Sequence, residues 1–337
     1  MRRVTTLVAL GLVGCAASPS ASAPTTTAGE SSLSPAATSH VEAVPAALEG
    51  RILLGDKDTF YLANADGSAV EQLGDRRQYC CLARISPDHS RILTMPGNDE
   101  TGAVTGGTLT IQQPHFDLLP RADATLNLVP QAWSPDGSRI AFEGWDDSDP
   151  NRTGIYTSGT ADGTDMTRVT TVTGRAHDVP LDYSPDGLRL VFYRAVRAEP
   201  DFPIDTGGSL WVVNIDGSDA HQLDTGTVRP WWWARWSPDG STIVFGAERL
   251  QPTGGLWTIK PDGSSLTVLV RGSASQFPVD PVWSPDGSAV MFVMNPIADA
   301  FDHPDNEIDV VSVDGSGITP VIVGPGFKRL SDWWKGT

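Results

Sequence analysis

The sequence predicts an all-β fold, a six-bladed β-propeller whose N- and C-terminal strands share the closing blade. Three observations predict it. One word recurs along the chain: "WSPDGSRIAF" from Trp133, "YSPDGLRLVF" from Tyr183, "WSPDGSTIVF" from Trp236, "WSPDGSAVMF" from Trp283, and a weaker "ISPDHSRIL" from Ile85. Its serines, Ser86, Ser134, Ser184, Ser237 and Ser284, lie 48, 50, 53 and 47 residues apart, a period that suits four short strands with their turns. The third observation is that no helical apolar stripe runs within the repeat, and the period is too long for an ankyrin or tetratricopeptide unit.

Each part of the word has a local reason. Ser-Pro-Asp-Gly is a turn, with proline pre-setting its own backbone angle and glycine closing the fourth position. After it, Ile140/Phe142, Leu190/Phe192, Ile243/Phe245 and Val290/Phe292 alternate at strand period. A second word interleaves with the first: "YLANADGS" at Tyr61, "LWVVNIDGS" at Leu210, "LWTIKPDGS" at Leu256 and "IDVVSVDGS" at Ile308. These read as strands running into Asp-Gly hairpin turns. "IYTSGTADGT" at Ile155 is a degenerate copy, and "LTIQQPHFDL" at Leu109 fills the remaining slot without Asp-Gly.

The chain opens with the second half of a unit and closes with a lone first strand, "RLSDWWKGT". Joining about 329–337 to 51–73 completes a sixth blade and removes a free sheet edge. The competing reading is an open two-sheet sandwich with accidental repeats.

These words resemble the TolB-like propeller, also called the WD40-like or PD40 repeat, over 49–337. The resemblance implies the fold and says little about function. The sequence leaves no length for the α/β domain that TolB carries before its propeller.

Residues 1–15, "MRRVTTLVALGLVGC", read as a lipoprotein signal peptide. Arg2 and Arg3 form its basic region, Val4–Val13 is an apolar core too short to span a bilayer, and "LVGC" resembles a lipobox with Cys15 as the lipid attachment. An ordinary secretory peptide cut further on, or twin-arginine export, are the competing readings. Residues 16–48, rich in Ala, Ser, Thr and Pro, read as a disordered tether, and 49–337 as the propeller. The expected location is extracytoplasmic, anchored to a bacterial membrane through lipid on Cys15.

The formal net charge of −17 argues against nucleic acid as a diffuse partner and fits cationic partners, divalent ions or plain solubility. Adjacent Cys80 and Cys81 fit either two buried thiols or a vicinal disulfide.

No nucleophile elbow, HExxH, P-loop or dinucleotide fingerprint is present, and the six histidines lack metal-ligand spacing. No catalytic residue and no cofactor is assigned. The SPDG aspartates Asp136, Asp186, Asp239 and Asp286 read as turn residues. Function is expected on the variable loops of the opposite face. There, acids and aromatics concentrate at Trp145, Asp146, Asp147, Asp149, Asp201, Phe202, Asp205, Phe301, Asp302 and Asp305, joined between blades by Arg229, Trp231 and Trp232. Aromatic anchors within an acidic rim suit a cationic peptide or an envelope protein; a solvated acidic face is the plain alternative. Asp146, Asp147 and Asp149 also fit a Ca²⁺ loop by composition, without its known spacing.

The residues just before the strand-one aromatics include Arg84, Asp182, Arg235 and Asp332. Blade order pairs Asp182 with Arg235 and Asp332 with Arg84 as structural ion pairs between neighbours. The expected function is a monomeric, non-catalytic interaction or scaffold module at the cell envelope. The alternatives are a small-ligand or cation receptor, or a propeller-type hydrolase or lyase with acids at the channel mouth.

Overall fold

In a computed structural model the protein is described over 48–337, except 57–58, 75–79, 96–105, 121–122, 124, 162, 164, 173, 175, 198–204, 249–253, 297–305, 325, 327 and 337. At 80–82, 95, 197, 205–206 and 232 the backbone alone is described.

The chain begins with β1 (Arg51–Gly55), β2 (Phe60–Asn64) and β3 (Glu71–Leu73). The second blade is β4 (Cys80–Ile85), β5 (Arg91–Met95), β6 (Gly107–Thr110) and β7 (Phe116–Leu118). The third is β8 (Asn127–Trp133), β9 (Arg139–Trp145), β10 (Gly154–Gly159) and β11 (Thr167–Arg168). The fourth is β12 (Ala176–Tyr183), β13 (Arg189–Arg197), β14 (Asp205–Asn214) and β15 (His221–Gln222). The fifth is β16 (Pro230–Trp236), β17 (Ile243–Ala247), β18 (Gly255–Ile259) and β19 (Thr267–Arg271). The sixth is β20 (Gln276–Trp283), β21 (Ala289–Pro296), β22 (Glu307–Ser312) and β23 (Thr319–Ile322), and the last strand is β24 (Arg329–Trp334).

Each sheet is a four-stranded antiparallel meander, and the closing one runs β24-β1-β2-β3. The inner strands β4, β8, β12, β16, β20 and β24 each contact the next, so the wheel is shut. This is the six-bladed, all-β propeller that the repeat count predicts. The outermost strands β11 and β15 have two residues each, which leaves little edge to pair with another chain.

The repeated turn has a local logic visible in its hydrogen bonds. Ser134 Oγ donates to Asp136 Oδ1 at 2.6 Å and accepts the Arg139 N–H at 2.9 Å. Asp136 Oδ1 also accepts the Ser138 N–H at 3.0 Å. The hydroxyl of Ser134, then the Ser138 N–H, hold the Asp136 carboxyl down at about 2. Ser86/Asp88, Ser237/Asp239 and Ser284/Asp286 repeat the arrangement, so these aspartates are turn residues. Gly137 sits at φ 70, where side chains are disfavoured, and a Cβ there would lie 3.6 Å from Pro87 of the preceding blade. The same glycine-on-proline contact joins each later SPDG turn to its predecessor, so the words lock blade to blade.

The weak copy departs at one position. His89 replaces glycine, takes φ 57, and stacks on Trp334 of β24 at 5.4 Å. The closure contact therefore uses an aromatic pair where the other blades use glycine and proline.

The core lies between blades. Phe192, Phe245 and Phe292, from equivalent second strands, are fully buried. Arg91 lies over the Trp133 ring at 5.1 Å and Arg189 over the Trp236 ring at 4.8 Å, each reaching from one blade to the next.

Candidate functional site

Among the described residues, chemistry-bearing side chains come together at the channel end beside the SPDG turns and on the loop face opposite.

At the channel, every inner strand carries extra residues relative to its partner, producing β-bulges between Cys80/Arg84, Pro130/Ala132, Pro180/Asp182, Pro230/Ala234 and Val279/Val282, with the closing sheet shifting at Leu53/Leu54. A bulge breaks the ladder and re-aims the chain. Asp182 Oδ2 accepts the Trp236 N–H of the next blade at 2.9 Å, and Asp332 Oδ2 accepts the Ile85 N–H across the closure at 2.7 Å. Arg235 lies between the two acids, with Nη1 3.9 Å from Asp182 Oδ1 and Nη2 2.9 Å from Asp332 Oδ1. Burial pushes the Asp182 carboxyl up, against the pull of Arg235.

The register at "DWW" is thereby fixed: Asp332 faces Leu53 and Trp333 faces Ile52. Arg235 and Asp182 approach as blade order suggested, though at 3.9 Å. The expected Arg84–Asp332 pair is not formed. Asp332 gives one oxygen to Ile85 and the other to Arg235, which reaches it past Val282, whose short side chain leaves the path open. Arg84 is buried and donates to the carbonyl of Ala83 in its own strand.

A cavity of about 160 Å3 opens here, lined by Asp182, Arg235, Asp332, Val282, the tryptophans Trp236, Trp283 and Trp333, and turn residues Pro238, Ser284 and Pro285. A second, smaller cleft lies among Trp233, Val279, Asp280, Asn295, Asn306, Lys328 and Arg329. Both Trp233 (φ 73) and Asp280 (φ 51) are left-handed there, at bulges of adjacent inner strands. Burial raises the Asp280 carboxyl although Arg329 lies 3.9 Å away. Lys328 is 1% exposed and donates to the carbonyls of Asn306, Gly324 and Gly326, pinning the segment that leads into β24.

On the loop face, the run after Trp145 folds into a 3-10 turn, Pro150–Arg152, capped by Asp149, whose side chain accepts from the Asn151 N–H. Asp146 accepts from Ser148 and from Arg152 Nη1 at 2.7 Å, while Arg152 also binds Asp123. Those bonds, Ser148 first, hold the Asp146 carboxyl at about 2. Asp147 accepts from Trp145 Nε1 and from Asn127 Nδ2, both at 3.2 Å. The three acids expected to suit Ca²⁺ thus point at separate donors, and among the described residues no group of acids, histidines or cysteines has metal-holding geometry. Arg229 is exposed and 3.8 Å from Glu248; Trp231 and Trp233 have ring centroids 6.1 Å apart. Asp201, Phe202, Phe301, Asp302 and Asp305, and the side chains of Asp205, Trp232, Cys80 and Cys81, lie outside the described residues, as do Cys15 and 16–47 of the tether, whose last residue, Leu48, packs against the core.

Two polar pairs were not legible in the sequence as pairs. His177 Nδ1 lies 3.2 Å from Glu143 Oε1, both nearly fully buried, and Asp178 binds Arg194 through two contacts of 2.6 and 2.7 Å. His177 and Asp178 lie inside β12. Arg194 in turn stacks over Trp211 at 4.5 Å.

With this geometry in hand, comparison with solved structures decides the fold class. TolB from Acinetobacter baumannii superposes with a TM-score of 0.63 at 17% identity, over 86% of this chain and 68% of that one. A protein assigned as TolB from Agrobacterium tumefaciens gives 0.61 at 20% identity, over 85% and 99%. The fold is a TolB-like propeller. An oligogalacturonate lyase in complex with manganese has the same architecture at 0.52 and 17% identity, over 82% and 74%. In sequence, the chain is 27% identical to the uncharacterised peptidase YuxL of Bacillus subtilis over 124 residues, 34% of this chain and 16% of that protein. The chain thus matches about a sixth of that relative's length. No family model matches the sequence.

Proposed function

We propose that this TolB-like propeller is a non-catalytic interaction module of the extracytoplasmic space, tethered by lipid on Cys15 through 16–48 and presenting its loop face to an envelope protein or cationic peptide. The observation that carries this reading is how the channel carboxylates are used. Asp182 and Asp332 each accept a backbone N–H of the next blade and flank one arginine, which makes them parts of the frame rather than an acid–base pair. The buried Glu143–His177 pair is similarly remote from any polymeric substrate, with side chains 3% and 5% exposed. The likeness to TolB in fold adds support of kind, not of partner.

The test is a crosslinked pull-down from intact envelope with the lipidated protein and a Trp145→Ala/Arg229→Ala/Trp231→Ala variant. One envelope protein captured by the first and lost from the second supports the loop face; equal capture by both refutes it. Cys15→Ser should move the protein from membrane to soluble fraction, and retention on the membrane refutes the tether. A second reading, a small-ligand receptor, is favoured by the cavity of about 160 Å3 beneath Trp236, Trp283 and Trp333.

A further inference from the structure

The six inner-strand residues that precede the aromatic positions form one layer of the channel. In ring order they are Asp332, Arg84, Ala132, Asp182, Arg235 and Val282. The order is Asp-Arg-small, repeated after three blades, so the ring has a pseudo-two-fold axis down the channel. The contacts follow that symmetry. Asp332 accepts the Ile85 N–H and Asp182 accepts the Trp236 N–H. The carbonyl of Arg84 accepts from Trp133 Nε1 at 3.1 Å and that of Arg235 from Trp283 Nε1 at 3.1 Å.

The two arginine side chains break the symmetry. Arg235 reaches both acids of the ring. Arg84, at the equivalent position opposite, forms no ion pair among the described residues. It is 8% exposed, its Nε has no hydrogen-bond partner, and its one bond is to Ala83 in its own strand. Asp332 and Asp182, its symmetry-equivalent partners, have their oxygens on Arg235 and on backbone N–H groups. Burial, followed by the nearby charge of Arg235, lowers Arg84 to about 10. The charges of Asp332, Asp182 and Asp280 offset this only in part and act without a direct bond, so a buried guanidinium with an unused N–H is left poorly satisfied until an anion bonds to it. A guanidinium offers donors in a fork that matches two oxygens of a carboxylate or phosphate.

We propose that the Arg84 half of the channel ring binds one oxyanion, a carboxylate or phosphate group, in the role that Asp332 plays for Arg235. This deepens the receptor reading and is independent of what the loop face binds, so failure of the pull-down and failure of anion binding are distinguishable. The ligand enters a chain of strong negative charge, so the site selects anions by local geometry against the overall field.

The experiment is calorimetric titration of sodium acetate, and separately inorganic phosphate, into the full chain, with thermal unfolding at matched ionic strength. Saturable one-to-one binding of either anion is expected, and the stronger of the two names the class. At about ten times Kd the folded-to-unfolded ratio should rise about tenfold. Arg84→Gln should weaken binding at least about tenfold. Arg84→Lys, which keeps the charge without the fork, should fold and bind weakly, and serves if the Gln variant does not fold. The exposed Arg271→Gln should bind as wild type. Absence of saturable binding of both anions, or unchanged Kd in the folded Arg84 variants, overturns the proposal.

Discussion

Asp309 offers the sharpest quantitative test of how this wheel is packed. In β10, β14 and β18 the residue facing Phe142, Phe192 and Phe245 is Tyr156, Trp211 and Trp257 respectively. In β22 the same position is Asp309, facing Phe292. An acid thus stands where the repeat places an aromatic. It is 6% exposed, and its Oδ1 has no hydrogen-bond partner. Burial, and then the charge of Glu307, push its carboxyl from 3.8 up to about 6. That gap of about two units corresponds to about 3 kcal/mol, at about 1.4 kcal/mol per unit. Between 3.8 and about 6 the folded chain keeps a proton that the unfolded chain has lost, so stability falls as pH rises through this window. Above it the whole deficit is present. Asp309→Asn removes the ionisation while preserving shape. The variant should match wild type near about pH 4 and exceed it by up to about 3 kcal/mol above about pH 7. Urea unfolding followed by tryptophan fluorescence across this range measures it. The variant-minus-wild-type difference cancels the turn aspartates, whose lowered values act at more acid pH. A difference that does not change with pH would refute the reasoning.

Three further outcomes follow from the same structure. Asp332→Ala should cost about 3 kcal/mol, and more than Asp182→Ala, because Asp332 lies 2.9 Å from Arg235 where Asp182 lies 3.9 Å away; urea unfolding that ranks them the other way contradicts the ring geometry. Both His221 nitrogens face carbonyls, of Asp219 and of Pro261 in the next blade, an arrangement that suits the imidazolium. Burial pulls its pKa down, but those carbonyls outweigh it and the net shift is upward from 6.5. Its stabilisation is therefore full below 6.5 and lost as pH rises through the raised value, and His221→Gln should flatten that limb of a Tm-against-pH profile. Gly137→Ala should cost about 1–2 kcal/mol through its positive φ rather than through crowding, since the nearest atom would be at ordinary contact distance; an unchanged unfolding midpoint contradicts this.

The sequence by itself determined the wheel. Serine, proline, aspartate and glycine act on their own turn through bonds that span five residues at most, as at Ser134, Asp136 and Arg139, so a local word suffices to place a strand end. Repetition at one period then leaves few ways to bury the alternating Phe142, Phe192, Phe245 and Phe292 except in stacked blades. The incomplete ends named their own partner, and β24 pairs with β1. Tertiary structure decided the site. Which acid meets which arginine depends on the reach of Arg235 past Val282 and on oxygens already taken by Ile85 and Trp236, contacts between residues 54 to 247 positions apart. Adjacency of blades suggested Arg84 for Asp332, and side-chain length with bulge geometry gave it to Arg235. On the loop face the acids Asp146, Asp147 and Asp149 look alike in the chain, and only the fold distributes them to Arg152, Trp145 and Asn151. Backbone preference and periodicity are encoded residue by residue; the pairing of charges depends on distances that exist only once the ring has closed.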